Sequence, residues 1–279
     1  MERGRKAGIV GETLSTVEQL VAESGPVDVT WIYEQWRDEL ASLMQLVADR
    51  FELEQDPSTN GLEVAGELGS GIHGQVQCFA GPDIDWMVYS WMADPKNGFA
   101  NLHLTISPGA HVDLPTFGLA FANFGIRPWG FVDSVPRRDL TTNPDYHDRY
   151  FGSVNERWLE IRRDNPQLDW FTSPTSYIRA VTSPTAFCYS GPMEQKTVDI
   201  IQGYGREHLE RWIGWWDGAE PTPVEDRAAL SAYTEDARRT IAVLDPANSV
   251  AVRLFGQDIC DSLVSALWGA DRTLPRAGV

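Results

Sequence analysis

The sequence predicts an α/β protein: a three-layer α/β/α sandwich around a central antiparallel sheet of about six strands. Three observations carry this. Short runs rich in Val, Ile and aromatic residues, separated by Gly and Pro, fill residues 62–135. Their connections are too short for parallel crossovers, which need a dozen or more residues. Helical periodicity brackets that stretch on both sides.

Taken in order, Leu14, Val17, Leu20 and Val21 fall at helical spacing within residues 13–22, and Ser24-Gly25-Pro26 ends that helix. Residues 29–51 form a longer amphipathic helix, with Trp31, Ile32, Trp36, Leu40, Leu43, Met44, Val47 and Phe51 on one stripe. Strands are expected near 62–68, 73–80, 84–92, 101–107, 116–124 and 129–134. In the fourth, His103 and Thr105 alternate with Leu102, Leu104 and Ile106, the period of a half-buried strand. Pro108-Gly109 breaks it, and the next apolar run brings His103 near residues 117–121. Asn143-Pro144 is placed to start a helix, and residues 154–163 read as helical. Residues 177–191 read as two extended pieces bent at Ser183-Pro184. Helices are expected over 193–216, 223–244 and 255–268. No repeat or low-complexity linker divides the chain, so residues 1–279 form one domain: two N-terminal helices, a meander sheet and C-terminal helices.

Composition narrows the function. A net charge of −17 argues against nucleic acid and anionic membrane as partners. The 11 Trp suit a large core or an aromatic-lined pocket. Cys78, Cys188 and Cys260 are widely spaced, without a zinc pattern, as in a reduced cytoplasmic protein. The basic start has no apolar h-region and no run approaches a membrane span. Gly69-Ser70-Gly71 lies between strands and does not open a helix, so no dinucleotide fingerprint is present.

Residues 101–124, NLHLTISPGAHVDLPTFGLAFANF, resemble the ferredoxin-dependent bilin reductases. His103 matches a family histidine, and the segment from Asp113 to Gly118 matches its D-L-P-x-F-G motif. Two family acids fall on Ala120 and Trp91. A second set of segments is similar to red chlorophyll catabolite reductase: VPRRDLTTNPDY (135–146), SYIRAVTSPTA (176–186), RLFGQDICDSL (253–263) and, more weakly, IDWMVYSWM (84–92). They follow the family's order across roughly residues 60–270.

The resemblance implies a ferredoxin-dependent reductase of a linear tetrapyrrole, with no flavin, nicotinamide or metal of its own. Ferredoxin is the implied partner and electron donor, and plant relatives imply a homodimer. It implies His103 and Asp258 as proton donors, Asp258 by matching the acid of the L-F-G-x-D turn. Trp91, Phe117, Ala120 and Thr182 are expected against the substrate, Thr182 at a position that varies in the family. Arg137, Arg138 and Arg179 are candidates for substrate carboxylates, since bidentate Arg suits propionates. Docking an acidic ferredoxin would call on Arg137-Arg138, Arg149, Arg162-Arg163 or Arg238-Arg239.

Two other readings keep the fold. One is a diverged oxidoreductase or oxygenase of specialised metabolism, acting on an indole- or pyrrole-derived substrate with iron or copper; His73, His103 and His111 would be its metal ligands. Ala120 and Trp91 favour it, each replacing an acid by apolar lining. The other is a non-catalytic tetrapyrrole-binding protein, which would also have no need of those acids.

Overall fold

The structure is a computed structural model that describes residues 27–66, 71–173 and 175–279. The helix expected over residues 13–22 lies outside them. Helix α1 (Thr30–Arg50) opens the described chain. Nine strands follow: β1 (Glu54–Gln55), β2 (Glu63–Ala65), β3 (His73–Ala80), β4 (Ile84–Asp94), β5 (Phe99–Pro108), β6 (Thr116–Phe124), β7 (Arg127–Val135), β8 (Asp169–Trp170) and β9 (Phe187–Ser190). They pair antiparallel in one sheet of order β1-β3-β4-β5-β6-β7-β9-β8, with β2 on β3. The six expected strands are β2 to β7. β9 lies in the second of the two extended pieces expected over residues 177–191, and the two additional strands, β1 and β8, are two residues long, too short to show a period.

The remaining helices are α2 (Pro144–His147), α3 (Ser153–Asp164), α4 (Ser176–Val181), α5 (Gln195–Trp215), α6 (Val224–Leu244), α7 (Asn248–Phe255) and α8 (Gln257–Trp268). A π-helical stretch, Asp148–Gly152, joins α2 to α3. Two expectations are corrected. Residues 176–181 are helical rather than extended, because Ser183-Pro184 ends a short helix there instead of bending a strand. The helix expected over 255–268 begins at Gln257, and a further helix, α7, precedes it across the turn at Gly256, whose φ of 84° only Gly adopts easily.

One face of the sheet is sealed by α1 and α5. Ile32, Trp36, Leu40, Leu43 and Val47 of α1 repeat every three or four residues and are fully buried. They meet Leu102, Leu104 and Ile106 of β5 and Phe117, Leu119 and Phe121 of β6, with Trp36 stacked on Phe121 at 5.8 Å. Each such buried side chain contributes roughly 1.5–3 kcal/mol. The helix α5 lies unusually close to the sheet at Gly205, where a Cβ would sit 2.8 Å from Leu119 Cδ1. This is why Gly interrupts the apolar face of that helix.

The other face is covered by α4, α6, α7 and α8. A smaller core joins Val76, Cys78, Trp86 and Val88 to Phe255 and Leu263, and Trp86 Nε1 donates to Ala266 O at 3.1 Å. Asp85, also buried, ties the C-terminal segment down through Arg238 (3.2 Å) and Arg272 (3.0 Å). These helices do not press flat on the centre of the sheet, and a cavity remains between the layers. Among the described residues, no helix is long and apolar enough to cross a membrane.

Candidate active site

The cavity has a volume of about 530 Å³. Its floor is the face of β4 to β7 that α1 and α5 leave uncovered. Strand parity decides what stands there: His103 pairs with Ala120, and Thr105 with Gly118, so these side chains share one face. On β6 the cavity face reads Thr116, Gly118, Ala120 and Ala122, while the bulky Phe117, Leu119 and Phe121 turn the other way. Small residues on one parity therefore leave the central space open.

Helix α6 and the α6–α7 connection form much of the roof, through Tyr233, Ile241, Asp245 and neighbouring residues. Helix α4 and the turn after it form a wall, with Ile178, Arg179, Thr182 and Ser183. Trp158 and Arg162 of α3, with Trp170 of β8, close the cavity near the β9 side.

His103 lies on the floor, with Nε2 2.7 Å from Asn101 Oδ1. As an acceptor, that oxygen selects the Nε2–H tautomer and leaves Nδ1 as the basic nitrogen. Burial lowers the imidazole pKa to about 4, because a charged ring is poorly solvated there. His103 is therefore neutral at ordinary pH. Ser107 Oγ, further along β5, is buried without a hydrogen-bond partner among the described residues.

Two carboxylic acids stand beside or within the cavity that residue-by-residue matching did not single out. Asp245 belongs to the α6–α7 connection and lines the cavity. One of its oxygens accepts from Ala247 N at 2.8 Å, and burial raises its pKa. Asp133 of β7 is buried behind the Ser183 turn, accepting from Ser183 N (2.9 Å) and Ser183 Oγ (2.5 Å). Burial pushes its carboxyl up to about 6. The sequence signal for Asp133 was its parity, since Gly118 opposite it is on the cavity face. Asp245 had no local signal beyond ending a helix with Asp-Pro.

Of the residues singled out from sequence, the cavity brings together His103, Ala120, Arg179 and Thr182. The others are corrected by geometry. Trp91 pairs with Leu102 and so faces α1, where the Arg37 guanidinium lies 4.1 Å from its ring centre. Phe117 borders the cavity, but its ring packs against His208 and Trp212 on that same opposite face. Arg137 is 3% exposed and reaches the cavity edge, but it serves as a clamp: it donates to the carbonyls of Gly109, Val112 and Leu114 and to Thr234 Oγ1. Arg138 pairs with Asp113 at 3.3 Å, away from the cavity. Asp258 is exposed in the first turn of α8, where an acid is favoured by the helix dipole, and it does not line the cavity. His73 packs on Trp91 and His111 pairs with Asp83, so neither joins His103; among the described residues no three metal-ligand side chains cluster.

The expected docking cations are also redistributed. Arg137 and Arg238 are buried, and Arg138 and Arg149 are paired with Asp113 and Glu220. Arg163 is exposed and pairs with its neighbour Asp164, Arg162 lies against two tryptophans, and Arg239 lies over Trp268.

Known proteins share this architecture. The family model for red chlorophyll catabolite reductase matches residues 40–268. The chloroplastic red chlorophyll catabolite reductase of Arabidopsis thaliana is 23% identical over 202 residues, which are 66% of this chain and 62% of that protein, less than two thirds of its length. The red chlorophyll catabolite reductase of Hordeum vulgare is 22% identical over 198 residues, 66% of this chain and 96% of that protein. The Arabidopsis relative's plastid location is not the cytoplasmic one expected from composition. Among solved structures, phytochromobilin synthase from tomato, in complex with biliverdin, superposes with a TM-score of 0.75 over 86% of each chain at 16% identity. At that identity the likeness is one of fold.

Proposed function

The chain belongs to the red chlorophyll catabolite reductase family, and on that footing we propose that it reduces a linear tetrapyrrole, a bilin or chlorophyll catabolite, with electrons taken one at a time from ferredoxin. The observation that supports this most is the cavity itself. It is large and mostly apolar, and it is floored by the sheet with a neutral histidine and roofed by a segment carrying a carboxyl group. An extended conjugated pigment fits between such layers, and the tomato protein of the same fold was solved in complex with biliverdin.

Each double bond reduced takes two electrons and two protons. The first electron enters the π-system and raises its basicity. A proton must then arrive from a positioned group whose pKa is near the working pH. Burial raises the Asp245 carboxyl above the ordinary aspartate value, which favours its holding a proton for delivery, and it takes the role that sequence matching gave to Asp258. His103 is neutral and oriented by Asn101, so Nδ1 can accept a proton from solvent or substrate and pass it on. The second electron and second proton complete the bond, and the side chains regain their protons from water.

Ala120 is the observation that favours the non-catalytic reading, because its methyl group faces His103 where an acid would otherwise stand. The carboxyl of Asp245 in the same cavity weighs on the side of catalysis. The test is to mix the protein with biliverdin, record the visible spectrum, and then add ferredoxin, its reductase and NADPH without oxygen. A shift on mixing followed by a new reduced pigment is expected. A shift with no reduction, for biliverdin and for red chlorophyll catabolite alike, would make the protein a carrier.

A further inference from the structure

Asp133 of β7 is 1% exposed, and its hydrogen-bond donors, Ser183 and the Ser134 N–H, are uncharged. Strand parity turns it to the cavity side of the sheet, in the row of Thr105 and Gly118 and one row along from His103 and Ala120. The carboxyl does not line the cavity itself. Ser183, just beyond α4, stands between: it lines the cavity, and its Oγ lies 2.5 Å from Asp133 Oδ1. Asp133 Oδ2 accepts from Ser183 N at 2.9 Å.

The Ser183 hydroxyl is placed to pass a proton on. Its oxygen accepts from Thr185 N at 3.1 Å, which leaves one lone pair for a proton from Asp133. Its own hydrogen is then free to point at Thr185 Oγ1, 3.2 Å away, or into the cavity. Burial holds the Asp133 carboxyl at about 6, in the range that suits an acid working near neutral pH. Once the proton has left, the carboxylate keeps three donors: Ser183 N, Ser183 Oγ and the Ser134 N–H. Asp245 sits in the roof and Ser183 in the wall, so the two reach a bound pigment from different elements.

We propose that Ser183 delivers the second proton of the reduction to the pigment and that Asp133 refills it through their hydrogen bond. This rests on the tetrapyrrole reading. The neutral radical left by the first electron and proton takes its second electron from ferredoxin. As it does so, the Ser183 Oγ–H bond breaks toward a pigment carbon or nitrogen, and Oγ takes the proton of Asp133. One new bond to hydrogen forms on the pigment, Ser183 ends as it began, and Asp133 is left as a carboxylate. Water reprotonates it along the same route after the product leaves. Asp133 touches no substrate; it is a positioning residue that acts through the hydroxyl.

The test follows anaerobic reduction of biliverdin by ferredoxin, its reductase and NADPH, with absorbance and electron paramagnetic resonance in ordinary and heavy water. It compares the unmodified protein with S183A, S183T, D133N and the double variant S183A/D133N. S183A is expected to bind biliverdin within about threefold of the unmodified protein and to turn over about a hundredfold more slowly. It should accumulate a pigment radical whose resonance narrows in heavy water, because that radical already holds one exchangeable proton. D133N keeps an acceptor for Ser183 N and loses the transferable proton, so it stalls at the same radical. The double variant is slower than either single one by no more than about threefold, since both act in one relay. S183T returns the hydroxyl and recovers about tenfold or more of the S183A loss. An S183A protein that reduces biliverdin at the unmodified rate overturns the relay. So does one that loses pigment affinity and is not rescued by S183T, which would make Ser183 a wall contact alone. Both outcomes leave the tetrapyrrole reading intact. No spectral response of the unmodified protein to biliverdin overturns that reading, and the relay with it.

Discussion

His103 on β5 stands directly opposite Ala120 on β6, with both side chains on the cavity face of the sheet. A carboxylate at 120 would therefore be a direct neighbour of the imidazole. A120D is expected to raise the His103 pKa by at least one unit from about 4, since an opposite charge within ~4–6 Å favours the protonated ring. Imidazole NMR titration reads the change. No movement would mean that the two side chains do not meet.

The void above the sheet exists because β6 turns small residues toward it. Gly118 is one of them, and an added Cβ would meet only Phe131, at an ordinary 3.6 Å. G118F should therefore fill the cavity rather than disrupt the packed layer behind it. Pigment affinity is expected to fall more than about tenfold, with the unfolding transition moved by less than about 1 kcal/mol. A large loss of stability with binding retained would contradict this placement.

Arg137 is assigned to the fold and not to the substrate. Replacing it leaves the inward carbonyls of Gly109, Val112 and Leu114 without their donor. R137M is expected to cost about 3 kcal/mol in denaturant unfolding, while the folded protein keeps pigment affinity within about threefold. Unchanged stability with lost binding would return Arg137 to the substrate.

Asp133 gives a pH signature. Its folded pKa of about 6 lies above the ordinary aspartate value, so the unfolded chain releases its proton first as pH rises. The stability it contributes is fully present below the unfolded pKa and is lost as pH rises through about 6. The difference in unfolding free energy between D133N and the unmodified protein should move in favour of the variant by roughly 2–3 kcal/mol between pH 4 and pH 7.5. Taking the difference cancels the titration of the buried His103 and His208, both of which are lowered by burial. The same difference at both pH values would place Asp133 in contact with solvent.

The sheet was legible because strands carry their own period. Residues 73–80 and 116–124 were expected from sequence with the bounds that β3 and β6 have. His103 and Ala120 were legible for the same reason, being neighbours across one hairpin. Trp91 and Phe117 were assigned to the wrong face although parity held the answer: Trp91 pairs with Leu102, one residue from His103, and Phe117 is three residues from Ala120. The role of Asp245 was not legible locally. An Asp-Pro step after a helix looks like a helix end, and only the packing of α6 and α7 over the sheet carries that carboxyl into the cavity. Asp258 misled for the complementary reason, since an acid in a first helical turn needs nothing but the helix.

The most direct measurement is anaerobic reduction of biliverdin by ferredoxin, followed by absorbance and electron paramagnetic resonance in the unmodified protein and in D245N. The asparagine oxygen can still accept from Ala247 N, so the turn into α7 is kept while the proton is lost. The expected result is complete two-electron, two-proton reduction by the unmodified protein. D245N should bind the pigment normally, accept the first electron, accumulate a pigment radical and turn over about a hundredfold more slowly. Reduction by D245N at the unmodified rate would contradict Asp245 as the proton source, and bound pigment that takes no electron in either protein would contradict the reductase itself.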